Sequence, residues 1–309
     1  MLDVHDLSIS FSSYALGLKK KEVCVIRGLD LRIVPGEIMA VVGQSGAGKS
    51  LLAHALLGIL PHNAKVSGSL FFKGRPLTAE RLTNLRGCQI ALIPQSVTYL
   101  NPLLRVGVQV ARAACLGGVS RKEVPSVVRR ALARYLLDKE VADWFPFQLS
   151  GGMARRVLTA TATVGQADLL LADEPTNGLD PRAAGEALGH LRELADTGKA
   201  VLLITHDIKA ALQVADKVAV FCAGTTVEIA AAKDFNGRGR LRHPYTKALW
   251  NALPANGFRM AIPPLITSTS PQNDGCFFRS YCHKQDFLCG KCPPGLRNAD
   301  GGWVRCHHA

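Results

Sequence analysis

Short apolar runs alternate with amphipathic stretches through most of the chain. The runs "GEIMAVVG", "QIALIP", "DLLLAD", "AVLLIT" and "KVAVF" are rich in β-branched residues and leucine, which is typical of buried strands. Between them lie stretches with helical spacing of apolar residues, such as "SLLAHALLGIL" and "RAAGEALGHLRELA". Because strands and helices alternate, the pattern predicts an α/β fold with a mostly parallel core sheet covered by helices.

The first part of the chain has a different pattern. The segments "LDVHDLSISF" and "CVIRGLDLRIV" alternate apolar and polar residues with a period of two. Strands of this kind bury one face and leave the other in water, as antiparallel sheets commonly do. We therefore expect an N-terminal antiparallel β layer before the parallel core.

Two later regions lack the strand pattern. Residues of about 102–164 contain "VPSVVRRALARYLLD", with apolar residues at helical spacing, and predict a helical subdomain inserted into the core. After Pro254, proline, glycine, asparagine and cysteine become frequent, which predicts a small Cys-rich C-terminal module with little core of its own. We therefore expect one domain over residues 1–254 and a second over 255–309.

Composition and charge narrow the class of protein. A chain of 309 residues, 48% hydrophobic and 20% charged, can bury an ordinary globular core. The formal net charge of +13 would attract nucleotides, nucleic acid or an anionic membrane surface, and charge alone does not choose among them. The opening "MLDVHDLSISF" does not resemble a secretory signal, and no apolar run approaches the roughly 18 residues of a membrane span. We expect a cytoplasmic protein.

A glycine-rich loop stands between a predicted strand and a predicted helix. It reads "GQSGAGKS" and runs from Gly43 to Ser50. Backbone N–H groups of such a loop and the positive end of the helix bind phosphate oxygens, so we expect Lys49 to contact the terminal phosphates and Ser50 to bind Mg²⁺. The predicted ATP-binding residues of this segment are Gly43, Gln44, Ser45, Gly46, Ala47, Gly48, Lys49, Ser50 and Leu51.

Two carboxylates end the apolar strand in "LLLADEP". Asp173 lies where a parallel strand would deliver it to the metal of a bound nucleotide, usually through water. Glu174 follows directly and points in a different direction, because successive strand residues alternate. We therefore expect Asp173 to serve Mg²⁺ and Glu174 to activate the water that attacks the γ-phosphate.

The order of several motifs resembles a known family. The phosphate loop, "IPQS", "LSGG", "LADEP", "GLD" and "LLITHD" follow one another as in the nucleotide-binding subunits of ABC transporters, and the resemblance covers nearly the whole chain. It implies a P-loop NTPase fold of ABC type and transport-coupled ATP hydrolysis. In such proteins two nucleotide domains close head to tail, so that each ATP lies between one phosphate loop and the opposite signature helix. The residues that would act on the partner's ATP are Leu149, Ser150, Gly151, Gly152 and Met153.

The same resemblance implies further roles. Gln95 would reach Mg²⁺ and the attacking water, which makes it a catalytic residue together with Glu174 and His206. His206 would contact the γ-phosphate. Asp180 in "NGLD" would cross the dimer seam, and Phe11, or alternatively Tyr14, would stack on adenine.

One branch of the family is especially similar. The segment "RHPYTKALWNALP", residues 242–254, and methionine at the end of the signature resemble the oligopeptide, dipeptide and nickel importers of bacteria. This resemblance implies uptake of di- or oligopeptides, nickel or metal chelates, at the cytoplasmic face of the inner membrane. It also implies two membrane-spanning permease subunits, a second ATPase subunit that is homologous or identical, and an extracytoplasmic solute-binding protein. Ala154 and Arg155 depart from the polar pair usual in that branch.

A different function remains open. The high positive charge would also suit a soluble ABC ATPase that acts on ribosomes or nucleic acid. Such proteins usually carry two nucleotide domains or a long inserted coiled coil, and this sequence contains neither pattern. We therefore expect no nucleic-acid partner.

Five of the nine cysteines lie in the last 35 residues. In some members of the importer branch a similar pattern holds a [4Fe-4S] cluster, which implies four ligands: Cys276, Cys282, Cys289 and Cys306. Four thiolates suit such a cluster and would cross-link a segment that lacks its own core. Zinc is an alternative, because Cys289 and Cys292 form a C-x-x-C pair that a histidine could complete. The candidate histidines are His283, His307 and His308. Unliganded reduced thiols are the third alternative.

Overall fold

A computed structural model describes residues 1–14, 20–237, 240–257 and 275–309, although not the side chains of Tyr14 and Lys20. The chain divides into two compact units. The first unit comprises residues 1, 33–38 and 77–205, and the second comprises residues 2–32, 39–76 and 206–309.

Strands and helices occur in both units. The strands are β1 (Leu2–Tyr14), β2 (Lys20–Ile33), β3 (Ile38–Gly43), β4 (Ala64–Phe72), β5 (Arg75–Pro76), β6 (Ile90–Ile93), β7 (Leu169–Asp173), β8 (Ala200–Thr205), β9 (Lys217–Cys222), β10 (Thr225–Ala231), β11 (Arg297–Ala299) and β12 (Gly302–Val304). The helices are α1 (Lys49–Leu57), α2 (Ala79–Leu85), α3 (Val106–Leu116), α4 (Val124–Arg134), α5 (Gly151–Thr163), α6 (Pro181–Asp196), α7 (Ile208–Val214), α8 (Pro244–Asn251) and α9 (Phe287–Lys291). Within the described residues, no helix combines the length and apolar character that crossing a bilayer requires.

The N-terminal strands form an antiparallel sheet, as predicted. Its order is β2-β1-β4-β5. In β1 the buried apolar residues change phase, from Leu2 and Val4 to Leu7 and Ile9. The pairing with β4 is interrupted by a β-bulge between residues 5 and 8, which adds one residue and keeps both apolar pairs on the buried face.

The second unit also contains a mixed group of strands. β3 pairs in parallel with β9, and β9 pairs antiparallel with β10. The C-terminal hairpin β11-β12 extends this group, because β12 pairs with β10 at Glu228↔Val304 and Ile229↔Trp303. The last residues of the chain are therefore joined to the sheet by backbone hydrogen bonds.

A buried ion-pair network fixes the start of α8 against β10. Glu228 is fully buried, and its carboxylate accepts hydrogen bonds from the backbone N–H groups of Arg242 (2.8 Å) and His243 (2.9 Å). The Arg242 guanidinium lies 3.4 Å from Glu228 and 3.7 Å from Asp234. Because the buried carboxylate of Glu228 has both a cation and N–H donors, the "RHPYT" segment holds its position in the unit.

The first unit contains the parallel strands and the inserted helices that the sequence predicts. β6 pairs with β7 and β7 with β8, all in parallel. Helices α3, α4 and α5 pack around their own apolar cluster, which includes Val106, Val110, Leu132 and Val157. The α/β class with an antiparallel N-terminal layer is thus confirmed, whereas the domain boundaries at 102–164 and after Pro254 stay predictions.

Replacing Gly224 by alanine should destabilise the chain more than the same change at Gly74. Both glycines have left-handed backbones, with φ of 84° and 71°. A Cβ at Gly224 would lie 2.0 Å from the carbonyl oxygen of Val25, whereas a Cβ at Gly74 would have no heavy atom of the described chain within 4 Å. Both variants have the same backbone strain, so the clash should make Gly224→Ala less stable by about 1–3 kcal/mol. Denaturant unfolding of both variants measures the difference, and equal losses would contradict this packing.

Candidate nucleotide site and thiol cluster

The glycine-rich loop forms the turn between β3 and α1. Gly48 precedes the helix with φ of 91°, a conformation that favours glycine, and a Cβ there would lie 3.2 Å from Cγ1 of Ile26. The first turn of α1 contains no acidic residue. Its N-terminus therefore keeps its partial positive charge, which attracts anions.

Lys49 is a buried cation at the start of this helix. Its side chain is only 7% exposed, and Nζ donates hydrogen bonds to the carbonyl oxygens of Gly43 and Gln44, both at 2.9 Å. A phosphate oxygen would be a stronger, charge-assisted acceptor for the same ammonium. Ser45 and Gly46 are exposed at the loop, and Ser50 is half-buried. The loop is therefore able to bind phosphate through Lys49 and its backbone.

The paired carboxylates lie at the carboxyl end of β7 in the first unit. Asp173 and Glu174 are 3% and 6% exposed. Strand β8 holds Glu174 at two points, because the N–H of Glu174 donates to the carbonyl of Ile204 (2.8 Å) and the Thr205 hydroxyl donates to Oε2 (3.2 Å). The carboxyl end of parallel strands is where ligands bind in α/β sheets.

Arg155 joins two of the predicted catalytic segments through contacts that no sequence pattern indicates. One guanidinium nitrogen donates to the carbonyl oxygen of Glu174 (2.9 Å) and another to that of Gln95 (2.7 Å). Burial lowers the pKa of Arg155, and the nearby carboxylates of Glu174 and Asp173 oppose this effect. In the first unit, the backbones of Gln95 and Glu174 therefore both bind the side chain of Arg155.

The signature residues begin helix α5. The Ser150 hydroxyl caps the helix by accepting a hydrogen bond from the N–H of Met153 (3.2 Å). Gly151 is exposed, and a Cβ there would lie within 4 Å of no heavy atom of the described residues. Gly152, Met153 and the preceding Leu149 are half-buried. Packing among the residues that the structure describes therefore does not explain a glycine at position 151.

The remaining polar candidates are exposed. Gln95 follows β6, and His206 follows Thr205 at the end of β8. Asp180 caps α6, where its carboxylate accepts hydrogen bonds from the N–H groups of Arg182 and Ala183, both at 3.0 Å. These bonds, that of Ala183 above all, lower the pKa of Asp180.

The predicted adenine contacts lie on the first strand. Phe11 is half-buried on β1 and pairs with Ala64 of β4. The alternative, Tyr14, has its side chain outside the described residues. The phosphate loop, Phe11 and His206 belong to the second unit, and the other candidates for the nucleotide site belong to the first.

Four tail thiols line the same small cavity. They are Cys276, Cys282, Cys289 and Cys306, the set that the sequence pattern implied. Burial raises the pKa of Cys276 to about 11, and the proximity of the other three thiols adds to this shift. Cys292 is exposed. The convergence of these thiols offers a soft donor set to a metal or cluster.

A second, more compact group overlaps this cavity. Ligand atoms of Asp286, Cys289 and His308 all lie within 4.8 Å of one another among the described residues. Asp286 accepts a hydrogen bond from the N–H of Cys289 (3.0 Å), and its other oxygen lies 3.3 Å from Nε2 of His308. Such a mixed set suits a single zinc ion better than a cluster. The other candidate histidines do not belong to this group: His307 lies 3.2 Å from the carbonyl of Cys292, and His283 is exposed.

Two family profiles match the chain. The family described as "ABC transporter" matches residues 26–177. The family described as "Oligopeptide/dipeptide transporter, C-terminal region" matches residues 227–289. The second match includes the "HPYTKAL" segment and three of the four thiols that line the tail cavity.

Several curated relatives are similar over nearly their full length. The dipeptide transport ATP-binding protein DppD of Bacillus subtilis is 35% identical, over 99% of this chain and 94% of the relative. The oligopeptide transport ATP-binding protein OppD of Salmonella typhimurium is 34% identical, over 95% of this chain and 89% of the relative.

Solved structures share the fold. A dimeric bacterial ABC transporter cassette has a TM-score of 0.66 at 24% identity, covering 75% of this chain and 99% of its own. The ATP-binding subunit of another ABC transporter has a TM-score of 0.64 at 25% identity, covering 81% of this chain and 98% of its own.

Proposed function

The chain belongs to the ATP-binding proteins of ABC transporters, in the oligopeptide/dipeptide branch, and we propose that it is the ATP-hydrolysing subunit of a bacterial importer of di- or oligopeptides. It is an ABC-type ATPase. One observation carries the proposal. Lys49, Asp173 and Glu174 are buried in a chain that is similar, over 99% of its length, to a dipeptide transport ATP-binding protein. The names of the relatives favour peptides over the other cargo of the branch, nickel and metal chelates.

In this proposal the phosphate loop binds the triphosphate. Lys49 exchanges its carbonyl partners for β- and γ-phosphate oxygens, and the N–H groups at the start of α1 bind the same anion. Mg²⁺ supplies charge neutralisation when bound, and the hydroxyl of Ser50, the carboxylate of Asp173 and the amide of Gln95 are oxygen donors of the kind it prefers. The support for this role is the burial of Asp173 at the end of β7.

The hydrolytic step rests on Glu174. Its carboxylate is held by Thr205 and takes a proton from the water that attacks the γ-phosphate. Gln95 orients that water, and His206 contacts the γ-phosphate. Phe11 stacks on adenine. Its side chain is half-buried on β1, so part of the ring is accessible to a base.

The signature acts on the nucleotide of a partner ATPase subunit. Ser150 and the glycines after it offer a hydroxyl, backbone N–H groups and the start of α5, whose first turn contains no acid. Asp180 lies at the dimer seam in this arrangement. ATP binding closes the pair, and hydrolysis reopens it, because the closed state binds ATP more tightly than the open one.

The partners follow from the proposed function. Two permease subunits would cross the membrane, an extracytoplasmic protein would deliver the peptide, and the second ATPase would be a homologue or a second copy. The chain would lie at the cytoplasmic face of the inner membrane. The relatives that match nearly the whole chain are transport proteins, so the comparisons give no support to the alternative on ribosomes or nucleic acid.

The tail would hold a [4Fe-4S] cluster on Cys276, Cys282, Cys289 and Cys306. The support is that these thiols line one cavity and that thiolates are the ligands such clusters require. The cluster would supply a cross-link between α9 and the residues after β12, in a segment with few elements of its own.

Replacing Glu174 by glutamine should lower ATP hydrolysis by roughly 10² to 10⁴ and leave ATP binding largely intact, because the amide cannot accept the proton of the attacking water. The assay measures phosphate release by the assembled transporter, together with uptake of a labelled dipeptide and of labelled nickel. Glu186→Gln is the matched control, since that exposed residue of α6 pairs only locally with Arg182 at 3.2 Å. Wild-type hydrolysis by Glu174→Gln, or uptake of nickel without peptide, would contradict the proposal.

Replacing Gly151 by alanine should reduce hydrolysis without reducing stability. Alanine favours a helix, and its Cβ would lie more than 4 Å from the neighbouring heavy atoms that the structure describes, so the free energy of unfolding should stay equal or rise. A methyl group facing the partner's phosphate should lower hydrolysis at least about tenfold by displacing that phosphate. Gly185→Ala is the control, because Gly185 is an exposed glycine of α6 with the same open surroundings. Equal activity of the two variants would contradict a role of the signature in trans.

Anaerobically purified chain should contain about four iron atoms and show the visible absorption of a cluster. Cys282→Ser should lose the iron, whereas Cys292→Ser should keep it, because Cys292 is exposed. One zinc ion without iron, lost in His308→Ala, would contradict the cluster and identify the group of Asp286, Cys289 and His308 as the site.

A further inference from the structure

Arg155 occupies a central place in the first unit. It lies on α5, five residues after the Ser150 cap, and its half-buried side chain reaches two loops that follow strands. Its guanidinium donates to the carbonyl oxygen of Glu174 at 2.9 Å and to that of Gln95 at 2.7 Å. We propose that Arg155 is a positioning residue for ATP hydrolysis, which fixes the backbones of Glu174 and Gln95 relative to each other.

The backbone of Glu174 needs such support. Its φ is 49°, in the left-handed region that residues with a Cβ seldom adopt. Apart from Arg155, hydrogen bonds from its N–H to Ile204 (2.8 Å) and from the N–H of Asn177 to its carbonyl (3.2 Å) fix this conformation. The direction of the carboxylate depends on the backbone, because a change of φ swings the whole side chain. The bond from Arg155 is the one in which the donor carries a charge, and charge-assisted bonds are stronger.

The geometry of the guanidinium explains why arginine stands here. A planar fork can donate two hydrogen bonds in fixed directions, whereas the ammonium of lysine is a point charge on a flexible stem. One arginine therefore fixes the distance between two carbonyls that are 60 and 19 residues away from it in the sequence. Its positive charge also lies near the carboxylates of Asp173 and Glu174, to which it is attracted.

Arg155 lies where this chain departs from the importer branch. Together with Ala154 it replaces the polar pair that is usual there after the signature. Since Ser150 is the N-cap of α5, Arg155 also connects the Gln95 loop and Glu174 to the helix of the signature. The inference rests on the proposed role of Glu174 as the base.

The test compares Arg155→Ala and Arg155→Lys in the full chain, assembled in its transporter. We expect Arg155→Ala to lower kcat by about 10- to 100-fold while KM and ATP affinity change less than about threefold, because a displaced base slows the chemical step and leaves binding unchanged. Lysine, which retains one bond, should recover part of kcat. Arg192→Ala is the control, since Arg192 donates to the carbonyl of Gly36 (3.0 Å) and pairs with Asp196 (2.8 Å) on α6. Wild-type kcat in Arg155→Ala would overturn the inference. So would equal losses of kcat in Arg155→Ala and Arg192→Ala accompanied by equal falls in melting temperature, because the loss would then reflect destabilisation alone.

A double-mutant cycle with Glu174→Gln separates the role of Glu174 as the base from the role of Arg155 in positioning it. If Arg155 acts through Glu174, adding Arg155→Ala to Glu174→Gln should slow single-turnover hydrolysis by less than about twofold. A further 10- to 100-fold loss in the double variant would overturn the inference. Wild-type hydrolysis by Glu174→Gln would contradict the proposed role of Glu174, whereas wild-type hydrolysis by Arg155→Ala alone would contradict only the role of Arg155.

Discussion

The structure depends on keeping three charged side chains almost out of water. Lys49, Asp173 and Glu174 are 7%, 3% and 6% exposed. Burying an ion costs several kcal/mol unless polar partners surround it. For Lys49 and Glu174 the protein meets this requirement with short-range contacts, because two loop carbonyls accept from Lys49 and strand β8 binds Glu174 through Ile204 and Thr205. Charges held in this way need little reorganisation when a nucleotide and its metal arrive, and such preorganisation is the main electrostatic source of catalysis.

The N-termini of helices α1 and α5 are a second electrostatic feature of the chain. Helices α1 and α5 both begin without an acidic residue in their first turn, one after a glycine-rich loop and the other after the Ser150 cap. Each can attract an anion. These two termini directly follow the phosphate loop and the signature serine, which fits the proposal that α1 serves the chain's own nucleotide and α5 serves the partner's. The open surroundings of Gly151 support this interpretation, since no neighbour in the described part of the chain requires glycine there.

Features encoded by neighbouring residues could be predicted from the sequence, whereas features formed by distant residues could not. The buried strands, the phosphate loop and the paired carboxylates appear as apolar runs and glycine spacing within about ten residues. The contacts of Arg155 join a side chain to backbone carbonyls, and such contacts leave no pattern in the sequence because every residue has a carbonyl. The same holds for the buried Glu228 that binds the start of α8, and for the hairpin β11-β12 that joins β10. In the tail, the resemblance to the importer branch implied the four cysteines, but both a cluster and a zinc ion accept thiolates, so these residues alone do not determine the metal.

The most direct test of preorganisation is an experimental structure of the assembled transporter trapped with ATP and Mg²⁺. We expect Nζ of Lys49 to leave the carbonyls of Gly43 and Gln44 for a phosphate oxygen, while the backbones of the loop and of Glu174 move by less than about 1 Å. A phosphate loop that has to refold around the nucleotide, or a Glu174 that has left its left-handed conformation, would contradict it.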